Sequence, residues 1–185
     1  MAWTIGVSGP AGGGKATLVK ALVASFESAV AVYFDDYPVD LPPVPLDWLE
    51  DGADFNEWGC QGLVDELTTL RSQGAAVVVE APLGQAHRAT GDLIDFLVFI
   101  DTPLEVALAR WVRRRLSEGM PSGELAAHLD LYETVLRPVY LEQRRQVVPD
   151  ADLVVDGLDD PAEWVPEDVS ALQKHPGAIT RMSRG

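Results

Sequence analysis

The stretch Trp3-Thr4-Ile5-Gly6-Val7-Ser8-Gly9-Pro10-Ala11-Gly12-Gly13-Gly14-Lys15-Ala16-Thr17 decides how the rest of the chain is read. Its first six residues form a short apolar, β-branched run of the kind found in a buried strand. Residues 9–14 are rich in glycine. Residues 15–26 then repeat Leu18, Leu22 and Phe26 on one helical stripe. The glycines and Lys15 fit the pattern G-x-x-x-x-G-K between a strand and a helix, and that context gives the pattern a physical use. Glycines let backbone N–H groups curl around phosphate oxygens, the helix N-terminus adds its positive end, and the lysine reaches the outer phosphates. Gly9, Ala11, Gly12, Gly13, Gly14, Lys15, Ala16 and Thr17 are therefore expected to hold a nucleotide. One position departs from the pattern. The residue after the lysine is ordinarily Ser or Thr, whose hydroxyl ligates Mg²⁺. Ala16 has no oxygen to offer, and Thr17 lies about 100° further round the helix.

Downstream, strand-like and helix-like runs alternate. Residues 30–34, 75–80, 93–100 and 153–155 read as further strands, and 62–73 reads as a helix closed by Gly74. The segment 37–57 carries Pro38, Pro42, Pro43 and Pro45, so neither a continuous helix nor a central strand fits it. Thr102-Pro103-Leu104-Glu105 has the form of a capping box with Thr102 as N-cap, opening a helix with Leu104, Leu108, Trp111 and Leu116 on its apolar face. Leu125, Leu129, Tyr132 and Leu136 mark another helix, which Pro138 should bend or end. The alternation predicts an α/β fold with a mainly parallel five-stranded sheet flanked by helices. Such sheets bind ligands at the carboxyl ends of their strands, where Ser8, Asp35 and Glu80 all fall.

Composition narrows the function classes. The 185 residues include 29 Asp+Glu against 14 Lys+Arg, a net charge of −15. So acidic a surface argues against general binding to nucleic acid or to an anionic membrane. The single cysteine, Cys60, cannot form an internal disulfide, and no Cys/His cluster has zinc-ligand spacing. Neither a targeting segment nor a run of about 20 apolar residues is present, which predicts a cytoplasmic setting.

Two acidic positions and a basic helix stand where they could complete a phosphate site. Asp35-Asp36 reads either as a solvated turn or as a functional pair at the end of the second strand. Glu80 follows Val77-Val78-Val79 at the end of the third. Arg110, Arg113, Arg114 and Arg115 form either a solvated basic face or a lid whose guanidinium groups meet a transferring phosphate. Trp48, Phe55 and Trp58 could stack on a flat ring or pack the proline-rich loop down.

In this order the features resemble the uridine kinase-like branch of P-loop kinases, which includes uridine/cytidine kinases, nicotinamide riboside kinases and phosphoribulokinase. The resemblance runs over residues 3–156. It rests on the phosphate loop, on Phe34-Asp35-Asp36-Tyr37, on Val79-Glu80, and on a C-terminal half. That half runs from Ile100-Asp101-Thr102 through Leu108-Ala109-Arg110 and Arg114 to Leu136-Arg137-Pro138-Val139-Tyr140 and Val148-Pro149-Asp150-Ala151-Asp152. It implies a P-loop fold over 1–157 with a helical lid at about 110–123, and 158–185 as a C-terminal surface segment of the same domain. The implied cofactors are ATP and Mg²⁺. Asp35 becomes the catalytic base, Glu80 with Asp35 the metal-holding carboxylates, and Lys15, Arg110 and Arg114 the groups facing the transferring phosphate. Asp36, Tyr37, Trp48, Phe55, Trp58 and Arg88 become acceptor-site candidates, whereas His87 reads better as a surface-loop residue. The implied partner is a small-molecule acceptor, with no nucleic acid or membrane, for a monomer or homodimer. Ala16, Trp111, Arg115 and Gly119-Met120-Pro121 depart from the branch's pattern. Ala16 keeps a second reading open, a nucleotide-binding regulator or impaired kinase. A GTPase switch has no Asn-Lys-x-Asp motif to support it.

Overall fold

Every residue of the first strand, β1 (Trp3–Ser8), is buried, as befits a strand with neighbours on both edges and helices on both faces. The computed structural model describes residues 2–164. β1 runs parallel to β3 (Ala76–Glu80) on one side and to β4 (Phe96–Asp101) on the other. β2 (Ala29–Val32) extends the sheet beyond β3, and β5 (Leu153–Asp156) beyond β4. The order is β2-β3-β1-β4-β5, with every pairing parallel.

The helices are α1 (Lys15–Ser25), α2 (Pro45–Glu50), α3 (Gln61–Ser72), α4 (Arg88–Gly91), α5 (Leu104–Ser117), α6 (Ser122–Leu131) and α7 (Arg137–Val147). Strand alternation divides the core between the two faces. Ile5, Val7, Val78, Val98 and Ile100 pack with Leu18, Val19 and Leu22 of α1. Val77, Val79, Leu97 and Phe99 pack with Leu63 and Leu67 of α3 and Val147 of α7. Leu18, Leu22 and Leu67 are fully enclosed, each contributing about 2 kcal/mol of burial. Among the described residues no helix is long and apolar enough to cross a membrane.

Several boundaries differ from the sequence expectation, each for a local reason. β4 starts at Phe96 rather than 93, because Asp95 is engaged across the sheet. Its Oδ2 accepts from the Thr4 backbone N–H at 2.8 Å and from Arg71 Nη1 at 2.6 Å. Arg71 Nη1 also reaches the Leu93 carbonyl at 2.8 Å, so α3, β1 and the entry to β4 share one knot. Asp95→Ala leaves the fully buried Thr4 N–H without its acceptor and is expected to cost about 1–3 kcal/mol, read as a lower urea midpoint at unchanged slope.

Thr102 is not an N-cap. Pro103 holds that position without a side-chain cap, because the Thr102 hydroxyl donates instead to the Gly13 carbonyl at 2.9 Å. Leu116 is exposed, and α5 buries Ala107 and Trp111. α6 buries none of its residues, so Leu125 and Leu129 are not core. Pro138 does not end the helix. Tyr132–Leu136 forms a π-turn that leads directly into α7, with Pro138 in its first turn, where a missing N–H costs little. The proline-rich segment contains α2 and a single 3₁₀ turn, Phe55–Glu57. Trp164 is buried in the α1-side core rather than lying on the surface. The rest of the expected tail, 165–185, lies outside the described residues.

Candidate active site

The glycine loop leaves β1 and passes close under α5. At Gly12 φ is +78°, and an added Cβ would stand 2.1 Å from the Ala107 carbonyl oxygen, so only glycine fits there. Gly14 has φ +109° and faces the indole of Trp164, where an added Cβ would lie 2.7 Å from a ring carbon. The loop is closed by the Gly13 N–H donating to the Pro10 carbonyl at 2.9 Å and by Lys15 Nζ donating to the same oxygen at 3.1 Å.

This loop forms one end of a cavity of about 520 Å³. Gly9, Ala11, Gly12, Gly14, Lys15, Ala16 and Thr17 line it, together with Asp35, Glu80, Arg110 and Arg114. Three elements deliver the acids and the lysine. Glu80 is the last residue of β3, Asp35 lies in the 3₁₀ turn Phe34–Asp36 after β2, and Lys15 opens α1. Burial pushes the Lys15 ammonium below the usual lysine range, against the pull of Glu80 and Asp35. Burial pushes the Glu80 carboxyl up, with Lys15 opposing and Asp35 reinforcing the shift. Lys15 and Glu80 thus act on each other's charge, and the Asp35 carboxylate bears on both. Arg110 Nη1 donates to the Gly157 carbonyl at 2.9 Å. Arg114 is half exposed, with Glu118 at 4.0 Å, and its charge reaches both Lys15 and Glu80.

The donor chemistry fits Mg²⁺ only as a shared ion. Among the described residues no group of three or more His, Cys, Asp or Glu could hold a metal alone. Asp35 and Glu80 supply two carboxylates beside the phosphate loop, which suits an ion completed by phosphate oxygens and water. Ala16 lines the cavity where a hydroxyl would otherwise stand.

The acceptor candidates divide. Phe55 and Trp58 line the cavity; Asp36, Tyr37, Trp48 and Arg88 do not. Trp48 lies beneath the lining, its ring 5.1 Å from Phe55 and 5.8 Å from Trp58, with Nε1 donating to the Asp54 carbonyl at 3.0 Å. Tyr37 packs toward α3 at Gly62. Arg88 is exposed, its backbone N–H held by Asn56 Oδ1 at 2.8 Å. His87 is not a surface residue. It is buried, caps α4 by accepting from the Thr90 N–H, and hydrogen-bonds the Trp58 backbone. Burial lowers its pKa. It is a positioning residue for the loop that carries Trp58. Gly13 is buried behind the loop and does not line the cavity.

The sequence reading missed several lining residues: Phe34, Leu83, Leu136, Val139, Tyr140, Gln143 and Trp164. Tyr140 and Gln143 come from α7. Burial pushes the Tyr140 phenol up to about 12, against the hydrogen bond from the Ala11 backbone. Gln143 Nε2 donates to the Pro82 carbonyl at 2.6 Å and to the Gly9 carbonyl at 3.4 Å, joining the loops after β3 and β1.

No protein-family model and no curated protein sequence matches the chain. Solved structures do. A sugar kinase from Janibacter sp. HTCC2649 superimposes with a TM-score of 0.58 at 19% identity, covering 97% of this chain and 98% of its own. A putative fructose transport system kinase from Silicibacter sp. TM1040 superimposes with a TM-score of 0.56 at 17% identity, covering 83% of this chain and 89% of its own. A shikimate kinase from Aquifex aeolicus reaches a TM-score of 0.46 at 20% identity over 94% of this chain, too low to argue from. At these identities the likeness is one of architecture: the five parallel strands, the glycine loop and the flanking helices have the fold of the P-loop kinases.

Proposed function

We propose that the protein is an ATP-dependent small-molecule kinase of the uridine kinase-like type, transferring the γ-phosphoryl group to an alcohol hydroxyl. The observation that carries this reading is the meeting of Lys15, Asp35 and Glu80 at the loop end of one cavity. The glycine loop binds the triphosphate through its N–H groups, and Lys15 neutralises the outer oxygens. Asp35 orients the acceptor hydroxyl and takes its proton. Glu80 and Asp35 are the residues that would hold Mg²⁺, whose chemistry is to offset phosphate charge. Arg114 and Arg110 close over the transferring group. The protein's contribution is positioning and charge stabilisation rather than covalent work. A cytoplasmic setting, where ATP is present, goes with this reading. It is tested by ADP release with ATP and Mg²⁺ across a panel of nucleosides, sugars and other primary alcohols. Release that no acceptor stimulates, with ATP binding intact, sinks it.

Ala16 supports a second reading, a nucleotide-binding regulator or an impaired kinase. Ala16→Ser restores a hydroxyl at a position that already lines the cavity. The expected outcome is an increase in Mg²⁺ affinity and turnover of about 10–100-fold, followed by magnesium titration of ADP release. No change in either shows that this site does not use the hydroxyl.

A further inference from the structure

Helix α7 builds one wall of the cavity from a single face. Leu136, in the π-turn before it, and Val139, Tyr140 and Gln143 recur at helical spacing and all line the cavity. Val147, one turn further on, is fully buried in the core. The register of the helix is fixed at Gln143, whose Nε2 donates to the Pro82 carbonyl at 2.6 Å and to the Gly9 carbonyl at 3.4 Å. Ser8 Oγ donates to the same Pro82 carbonyl at 2.7 Å. The wall is therefore tied to the end of β1 and to the first residue of the glycine loop.

That register sets Tyr140 against the loop. Its phenol oxygen accepts from the Ala11 backbone N–H, and the charge of Asp35 reaches it. The residue is part-exposed rather than enclosed. Its O–H has no acceptor among the described residues, whereas the O–H of the neighbouring Tyr132 is spent on the Leu104 carbonyl at 3.3 Å. Burial keeps the Tyr140 phenol neutral, so it can donate without adding charge to the site. The bond it accepts polarises the O–H and strengthens that donation. Ala11 thus spends its N–H on the phenol, and the phenol offers its own O–H between the loop and Asp35.

We propose that Tyr140 reads the terminal phosphate: its O–H, held at the loop by the Ala11 N–H, donates to a γ-phosphoryl oxygen of the bound triphosphate. The proposal rests on the kinase reading above and adds a residue to its site. A diphosphate ends short of this donor, so Tyr140 favours the triphosphate over the diphosphate. During transfer Tyr140 keeps its proton. The acceptor hydroxyl loses its own to Asp35, its oxygen bonds to phosphorus, and the bond from phosphorus to the β–γ bridging oxygen breaks. The phenol steadies the phosphoryl group while it moves.

The test compares two nucleotides on the full chain by calorimetry in Mg²⁺: ADP, and the non-hydrolysable triphosphate AMP-PNP. Tyr140→Phe keeps the ring on α7 and removes only the hydroxyl. It is expected to weaken AMP-PNP binding by about tenfold and to leave ADP within about twofold. The ADP titration is its own check that the loop remains formed. Equal losses for both nucleotides overturn the proposal, because the phenol then acts only by holding Ala11. No loss for either also overturns it. Where an acceptor drives ADP release, Tyr140→Phe is expected to lower kcat by about 10–100-fold, with the acceptor KM within about threefold. The two claims fail separately. A selective loss of AMP-PNP in a protein that no acceptor stimulates removes phosphoryl transfer and keeps the contact. Acceptor-driven release with unchanged AMP-PNP affinity in Tyr140→Phe keeps transfer and removes the contact.

Discussion

Asp35→Asn is expected to lower turnover by about 10²–10⁴-fold while nucleotide affinity stays within a few fold. The substitution keeps the side chain's size and its place in the 3₁₀ turn after β2. It removes only the ability to take a proton and a negative charge beside Lys15. Loss of that charge does not weaken a polyanion's hold on the loop, so a loss of turnover that saturating Mg²⁺ does not restore points to the acceptor hydroxyl rather than to the metal. Asp36→Asn is the matched control. Asp36 is the neighbouring carboxylate in the same turn but does not line the cavity, and its variant is expected to retain near-normal turnover. Steady-state ADP release and calorimetric ADP titration, run on both variants, decide the matter. Equal activity in Asp35→Asn would falsify its role as base; equal loss in both would assign the effect to the turn's conformation.

The parts of this site that were legible in the sequence are those whose signal is local. A strand, six loop residues and a lysine are contiguous, so the pattern at 3–15 implies both the fold and the anion site. Glu80 was legible because strand ends mark one side of a parallel sheet; Asp35, expected at the end of a strand over 30–34, instead lies in a 3₁₀ turn beyond β2, which stops at Val32. What was illegible depends on contacts across long stretches of chain. Gln143 spans 134 residues to reach the Gly9 carbonyl. Within α7 it reads only as one polar residue of an amphipathic helix. Thr102 shows the converse error. Thr-Pro-Leu-Glu satisfies a local capping rule, yet a carbonyl 89 residues away, that of Gly13, takes the hydroxyl. Among Trp48, Phe55 and Trp58, composition could not say which ring faces a ligand. The loop's fold places Trp48 beneath the other two. Local chemistry therefore located the glycine-loop end of the cavity, while its aromatic end is a product of tertiary packing.

Lys15→Met is expected to weaken nucleotide binding by at least about 100-fold, more than one lost hydrogen bond explains. The reason lies in the charges that remain. Lys15 is the cation that stands against both Glu80 and Asp35. Glu80 is only 7% exposed, so water screens it poorly. Without the ammonium, two carboxylates face an incoming triphosphate across a partly dry cavity. Arg110 is tied to the Gly157 carbonyl and Arg114 is half exposed, so neither replaces a charge seated in the loop itself. Methionine keeps the length and apolar stem of lysine, which leaves the start of α1 undisturbed. The control that distinguishes repulsion from a collapsed loop is the double variant Lys15→Met/Glu80→Gln. If repulsion dominates, neutralising Glu80 recovers part of the lost affinity, about tenfold. If loss of the Lys15–Pro10 contact has opened the loop, the double variant binds no better than the single one. Calorimetry of ATP in EDTA gives the reading, because only the chain's own charges then face the phosphates. Wild-type affinity in Lys15→Met would remove the glycine loop from nucleotide binding, and the proposed activity with it.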